Sequence, residues 1–101
     1  MHFIVHALDK ADALERRMSV IADHRAFLDN APAQHDVQVL LSGPLTSDDG
    51  SAMIGSFFLL DAPDRQAIED LFSEDPLTAS DVWGQTNISA VMIRQNNMVA
   101  E

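Results

Sequence analysis

The chain has 101 residues, a length typical of one small domain, and its content of 47% hydrophobic and 22% charged residues is that of a globular protein. Sixteen acidic residues against six lysines and arginines give a formal net charge of −10, and a field of that sign repels phosphate backbones and anionic lipid heads. We therefore expect no nucleic acid and no membrane among its partners, although an acidic surface is also a common means of staying soluble. The absence of cysteine excludes disulfides, thiolate catalysis and cysteine-ligated zinc.

The beginning of the chain does not have the features of a targeting segment. Residues 1–6 lack the basic region and long apolar run of a signal peptide. No apolar stretch approaches the ~20 residues that span a bilayer. We therefore expect a cytoplasmic protein, and because so small a domain gains stability by pairing with a copy of itself, we expect a homodimer.

The first half of the chain predicts a strand, a helix and a second strand. Residues 2–8 are rich in β-branched and aromatic side chains and predict the first strand. A helix is predicted from about Asp12 to Asn30, with Asp12 as its N-cap and Pro32 just beyond its end. Residues 37–45 predict the second strand, which Gly and Pro end or bend. The helix is expected to bury a stripe at helical spacing, formed by Leu14, Met18, Ile21, the stem of Arg25, and Leu28.

The second half predicts a hairpin, a helix and a last strand. The Asp-Gly turn in residues 46–51 returns the chain into a strand over residues 52–60, where Gly55 indicates a bulge or a close backbone approach. Pro63 is expected at the first position of the second helix. After this helix, Asp75 is the predicted N-cap of a short helical turn that starts with Pro76. The last strand is predicted over residues 85–94.

The predicted order of elements is β-α-β-β-α-β, the split βαβ or ferredoxin-like arrangement of the α+β class. Such a fold has an antiparallel sheet with both helices on one face, so the other face is a natural dimer surface. We expect one domain over residues 1–95 and a C-terminal tail over residues 96–101.

His24 and Asp75 are the residues best suited to chemistry. His24 lies beside the expected buried stripe of its helix, and Arg17, seven residues earlier, lies on the same side two turns back. The alternative is a partly exposed helix histidine. Asp75 is explained by helix capping alone, and periodicity does not bring it to His24. If the two side chains meet, the aspartate fixes the tautomer of the imidazole and raises the basicity of its second nitrogen.

Three further residues are candidates for binding a substrate. His6 shares a strand face with His2, so it lines a cleft or forms a metal pair, or it is simply a hydrogen-bonded neighbour of the cleft. Ser42, before Gly43 at a strand end, offers a hydroxyl or backbone amides to an oxyanion, or is a plain turn residue. No metal-ligand spacing, phosphate-binding loop or nucleophile elbow is present, so we expect no metal and no cofactor.

Short segments along the chain occur in a recognisable order and spacing: Asp9-Lys10-Ala11-Asp12, Leu14-Glu15-Arg16-Arg17-Met18-Ser19-Val20, His24, Leu40-Leu41-Ser42-Gly43-Pro44 and Asp75-Pro76. Through these segments the chain resembles the YciI-like family, also called the YCII-related domain family, over nearly its whole length. The resemblance implies a homodimer whose sheets face each other, a dimeric α–β barrel, with an active site centred on a His/Asp pair that corresponds to His24 and Asp75. One branch that resembles this fold eliminates hydrogen chloride from a chlorinated hydroxyhydroquinone.

These observations lead to the hypothesis of a cofactor-independent acid–base enzyme that acts on an unknown small organic molecule. Elimination, isomerisation and hydrolysis all fit a His24 base or acid that Asp75 orients. The alternative is a non-catalytic dimeric module that binds a small molecule or regulates, in which Asp75 only caps a helix. The residues expected to bind the substrate are Arg17, Ser42, Gly43 and His6.

Overall fold

The computed structural model describes residues 1–98, which form four strands and four helices. In chain order the elements are β1 (His2–Asp9), α1 (Leu14–Asp29), α2 (Ala31–His35), β2 (Gln38–Thr46), β3 (Met53–Asp61), α3 (Arg65–Ser73), α4 (Pro76–Ala79) and β4 (Trp83–Val91). The four strands form one antiparallel sheet in the spatial order β2-β3-β1-β4. This is the strand order of the ferredoxin-like arrangement, so the predicted α+β fold is confirmed, with the predicted helical turn at Pro76 and one further short helix that was not predicted.

The helices cover one face of the sheet, and the strand alternation decides which side chains meet them. On β1 the buried positions are Phe3, Val5 and Ala7, so the same alternation turns Asp9 toward the helices. Ile4 and His6 lie on the other, open face and are exposed. The main core joins the sheet to α3 through Phe3, Val5, Phe58, Leu60, Ile68, Leu71 and Phe72.

Helix α1 presents a different face to the sheet from the one predicted. Leu14 and Met18 are 49% and 52% exposed, whereas Arg17 and His24 are buried together with Leu28. The prediction of the buried stripe was wrong for Leu14 and Met18, because it ranked side chains by hydrophobicity. In the fold the two polar side chains are buried because each has a charged partner in the interior.

Several helix ends also differ from the prediction. Asp12 has a left-handed φ of 61° and is not the N-cap of α1, which begins after Ala13 without a side-chain cap. Pro32 lies in the first turn of α2. Asp64 caps α3 and accepts the Ala67 N–H at 2.9 Å, so Pro63 precedes the cap.

The C-terminal part of the chain differs in the limits of its strand. β4 runs over Trp83–Val91, so it begins and ends earlier than the predicted strand. Residues 92–98 belong to no helix or strand. The predicted tail is residues 96–101, of which residues 96–98 have no regular secondary structure and residues 99–101 lie outside the described residues. Among residues 1–98, no helix is both long and apolar enough to cross a bilayer.

The β2–β3 hairpin follows the prediction closely. Gly50 takes a positive φ of 78° in the turn, and the carboxylate of Asp49 accepts hydrogen bonds from the N–H and hydroxyl of Ser51 and from the hydroxyl of Ser47. These bonds, led by the one from the Ser51 N–H, lower the pKa of Asp49 to about 2. In β3 a side chain at Gly55 would collide with the carbonyl oxygen of Ala7, so the predicted close approach is confirmed.

Candidate active site

The fold brings His24 and Asp75 into direct contact. Nδ1 of His24 lies 2.8 Å from Oδ1 and 2.9 Å from Oδ2 of Asp75. The exposed fractions are 6% for His24 and 0% for Asp75, so the pair is shielded from solvent. Oδ1 of Asp75 also accepts the N–H of Leu77 at 2.8 Å, which makes Asp75 the N-cap of α4. The same carboxylate therefore caps a helix and holds the imidazole.

The contact decides which nitrogen of His24 faces outward. An ionised carboxylate only accepts hydrogen bonds, so Nδ1 carries the hydrogen and Nε2 of the neutral ring keeps its lone pair. Nε2 has no partner within residues 1–98, yet no fully buried side-chain nitrogen or oxygen in that part lacks one. Nε2 is therefore accessible. The ring makes edge contacts with Phe58 and Trp83 at centroid distances of 6.0 and 6.1 Å, which hold its orientation.

His24 borders a cavity of about 250 Å³ between α1 and the β2–β3 hairpin. For comparison, a dry cavity of about 150 Å³ holds one benzene molecule. The volume therefore fits a single substituted ring or a molecule of similar size. Apolar walls come from Ile21, Leu28, Met53 and Phe58, and the polar side chains at the cavity are Arg17, His24, Arg25, Ser42 and Ser56.

Arg17 forms a buried ion pair that links α1 to the sheet. Its Nε and Nη2 donate to the two carboxylate oxygens of Asp9, both at 2.8 Å. Nη2 also donates to the hydroxyl of Ser56 at 2.6 Å, and Nε1 of Trp83 donates to the same hydroxyl at 3.2 Å. Because Asp9 compensates the guanidinium charge, Arg17 reaches the cavity as part of a neutral network and is not a free cation.

Arg25 supplies the uncompensated positive charge at the cavity. It is exposed one residue after His24 on α1, and it forms no ion pair with any of residues 1–98. The hydroxyl of Ser42 likewise has no hydrogen-bond partner in that range. Both groups are available to a bound molecule.

The structure gathers most of the predicted site residues but not all of them. Arg17, Ser42 and Gly43 border the cavity, with Asp75 directly behind the His24 ring. His6 does not reach the cavity, because the alternation along β1 places it on the open face of the sheet. The described residues 1–98 also contain no cluster of three His, Asp or Glu side chains of the kind that binds a metal.

Sequence reasoning missed Asp9 and Ser56 as parts of the site. The role of Asp9 could have been predicted, because Asp9 continues the inward-facing positions of its strand and a buried carboxylate needs a partner. No sequence feature indicates a role for Ser56, because a serine in a strand is ordinary and its two hydrogen-bond donors come from elements distant in sequence.

Comparison with known proteins identifies relatives over nearly the whole chain. The model of the YCII-related domain family matches residues 1–91. Protein YciI from Escherichia coli O6:H1 and protein YciI from Shigella flexneri are each 31% identical over 94 residues, covering 87% of this chain and 93% of the relative.

Solved structures share the fold. 5-Chloro-2-hydroxyhydroquinone dehydrochlorinase, TftG from Burkholderia phenoliruptrix in complex with 2,5-dihydroxybenzoquinone, superposes with a TM-score of 0.77 at 24% identity, covering 91% of this chain and 94% of that chain. A variant of SnoaB, a cofactor-independent oxygenase from Streptomyces nogalater, superposes with a TM-score of 0.55 at 16% identity, covering 97% of this chain and 96% of that chain. A dimeric protein of unknown function with a ferredoxin-like fold from Bacteroides fragilis superposes with a TM-score of 0.53 at 11% identity, covering 87% of this chain and 90% of that chain.

The burial of the Arg17–Asp9 pair predicts a large stability effect. We expect Asp9→Asn to lower the free energy of unfolding by about 3 kcal/mol or more, because it leaves a buried guanidinium without its countercharge. Asp61→Asn is the matched control, since Asp61 forms an exposed ion pair with the N-terminus and its loss should cost less than about 1 kcal/mol. Urea unfolding measures both, and equal losses would contradict a structural role for the buried pair.

Proposed function

The chain belongs to the YCII-related domain family, and we propose that it is a cofactor-independent acid–base enzyme that moves a proton on a small organic molecule. The observation that carries the proposal is the His24 ring: its Nδ1 is bound to Asp75, its Nε2 is accessible, and the residue borders a ring-sized cavity. TftG is a dehydrochlorinase and SnoaB a cofactor-independent oxygenase, so this fold is known to accommodate enzymes of small molecules.

The proposed chemistry follows from the orientation of the dyad. Nε2 of neutral His24 takes a proton from the substrate or from a water molecule, and the Asp75 carboxylate stabilises the imidazolium that results. The proton then returns to a leaving group, to another carbon or to a product oxygen. Elimination, isomerisation and hydrolysis share this first step and differ in the substrate.

The cavity also restricts the class of substrate. Its volume of about 250 Å³ and its partly apolar walls favour one small ring or an equivalent branched molecule. Arg25 offers an unpaired guanidinium for a carboxylate or phenolate group, and Ser42 a hydroxyl for a further polar group. The proposed substrate is therefore a small hydroxylated or anionic compound.

The dyad is tested by exchange of carbon-bound hydrogen for solvent deuterium in a panel of hydroxylated aromatic and keto-acid compounds, followed by NMR. We expect the wild-type protein to catalyse exchange in at least one compound, and His24→Gln to slow that exchange by about a hundredfold or more. Asp75→Asn should also slow it, although asparagine caps a helix about as well as aspartate.

Two results separate this proposal from a binding module. His35→Gln is the control, because the partly buried His35 pairs with Glu74 at 3.2 Å and does not border the cavity. Full exchange activity in His24→Gln would exclude the dyad as the acid–base centre. A wild-type protein that binds compounds of the panel but exchanges none of them would favour the non-catalytic module.

The role of Arg25 predicts a selective effect on binding. For an anionic substrate, Arg25→Gln should raise KM about tenfold and leave kcat nearly unchanged. The reason is that the lost ion pair stabilises the bound substrate and the transition state equally. Arg94→Gln makes the same charge change at an exposed position outside the cavity and should leave both constants as in the wild type. A fall in kcat with unchanged KM in Arg25→Gln would assign Arg25 a different role.

We further propose that the open face of the sheet pairs with the same face of a second copy. Ile4, Leu41 and Phe57 on this face are between 38% and 44% exposed. Its strand positions carry only one acidic residue, Asp61 at a strand end, although the chain has 16. A partly apolar surface with so few acidic residues, on so acidic a protein, is what two copies can bury with little electrostatic repulsion.

The dimer is tested by the mass of the protein in solution. Light scattering should give twice the 11.1 kDa of the chain, and Phe57→Glu should reduce it to one chain because two introduced carboxylates would be buried together. Met18→Glu adds the same charge at an exposed apolar residue of α1 and should leave the dimer intact. A wild-type monomer, or equal effects of the two variants, would contradict this interface.

A further inference from the structure

The hydroxyl group of Ser56 has an unusual set of hydrogen-bond partners. Ser56 lies on β3, is 2% exposed and borders the cavity near His24. Its oxygen accepts from Nη2 of Arg17 at 2.6 Å and from Nε1 of Trp83 at 3.2 Å. Both contacts come from nitrogen atoms that donate and cannot accept.

These two contacts dictate what the hydroxyl hydrogen can do. A serine oxygen has two lone pairs, and here two N–H groups occupy them. The hydroxyl of Ser56 can therefore act further only by donating its own hydrogen. No acceptor for that hydrogen is found within residues 1–98, and a buried donor without a partner is costly. A molecule bound in the cavity can supply this acceptor.

We propose that Ser56 is a catalytic hydrogen-bond donor, which binds the substrate oxygen that becomes negatively charged when His24 removes a proton. This inference rests on the acid–base function proposed above and names the class of substrate. The substrate carries a carbonyl oxygen conjugated to the carbon that loses the proton, so its enolate places the charge on that oxygen.

The electron balance of the step is simple. Nε2 of His24 takes the proton, and the electron pair of the broken C–H bond forms a carbon–carbon double bond. The π pair of the carbonyl moves to its oxygen, where the Ser56 hydroxyl stabilises the charge. Return of the proton, or departure of a leaving group, restores the carbonyl.

The surroundings of Ser56 strengthen it as a donor. A guanidinium that donates to the hydroxyl oxygen draws electron density from the O–H bond, and linked hydrogen bonds reinforce one another. Asp9 holds that guanidinium by two bonds at 2.8 Å, so the donor is oriented before the substrate arrives. A preoriented donor spends no reorganisation energy when charge develops.

The first test measures binding of para-nitrophenolate and para-nitroanisole to the full-length protein. The two probes share a ring, but only the phenolate presents an anionic oxygen. We expect the wild-type protein to prefer the phenolate, Ser56→Ala to reduce this preference by about tenfold, and Ser56→Thr, which retains the hydroxyl, to keep most of it. An unchanged preference in Ser56→Ala, or none in the wild type, would overturn the proposal.

The second test uses the wild-type protein alone, so it is independent of whether Ser56→Ala folds. Neutron diffraction from deuterium-exchanged crystals should show the Ser56 deuterium directed into the cavity. A deuterium directed at the Asp9 carboxylate or at a backbone carbonyl would overturn the proposal. Neither test depends on turnover, so a protein that passes both but exchanges no substrate hydrogen would refute the acid–base function and still support Ser56 as an oxyanion-binding donor.

Discussion

The ion pair between Arg17 and Asp9 is the constraint on which the site depends. A buried guanidinium must meet its countercharge, and Asp9 is held on the helix side of β1 by the alternation of the strand. The pair therefore sets the rotation of α1 against the sheet. Seven residues are close to two helical turns, with a drift of about 20°, so a helix that buries Arg17 also turns His24 inward. Leu14 and Met18 are left exposed as a consequence.

The carboxylate of Asp75 meets His24 from the opposite side of the interior. Its position is determined locally, because Pro76 starts α4 and the Leu77 N–H binds the same oxygen that contacts the imidazole. The buried carboxylate has its hydrogen-bonding partners in place, because it accepts from both the helix terminus and the imidazole. From the sequence, helix capping and the His/Asp contact are alternative roles for Asp75, whereas in the fold they are two contacts of the same carboxylate.

What could be predicted from the sequence was mostly local. The order of strands and helices, the Asp-Gly hairpin and the capping by Asp75 each depend on neighbouring residues, and each appears in the structure. The buried face of α1 could not be read from hydrophobicity, because its polar residues are buried by partners distant in sequence. The contact between Asp75 and His24 could be expected only from the family resemblance. The hydrogen bonds of Ser56 join three separate elements, so they could not be predicted before the fold was known. His6 shows the converse, since a plausible residue type lies on the wrong face of its strand.

The charges of the chain and of the cavity act on different length scales. The net charge of −10 spreads over the surface, and salt screens it beyond about 10 Å, so groups inside the cavity decide what is stabilised there. Arg25 is the charge that a substrate anion meets on entry. Arg17 contributes no net charge with Asp9 beside it, but it polarises the hydroxyl of Ser56. In the proposed reaction, two groups at the cavity therefore stabilise two different negative charges. The guanidinium of Arg25 binds a charge that the substrate already carries, and the fixed, neutral hydroxyl of Ser56 stabilises the charge that appears only when His24 takes the proton.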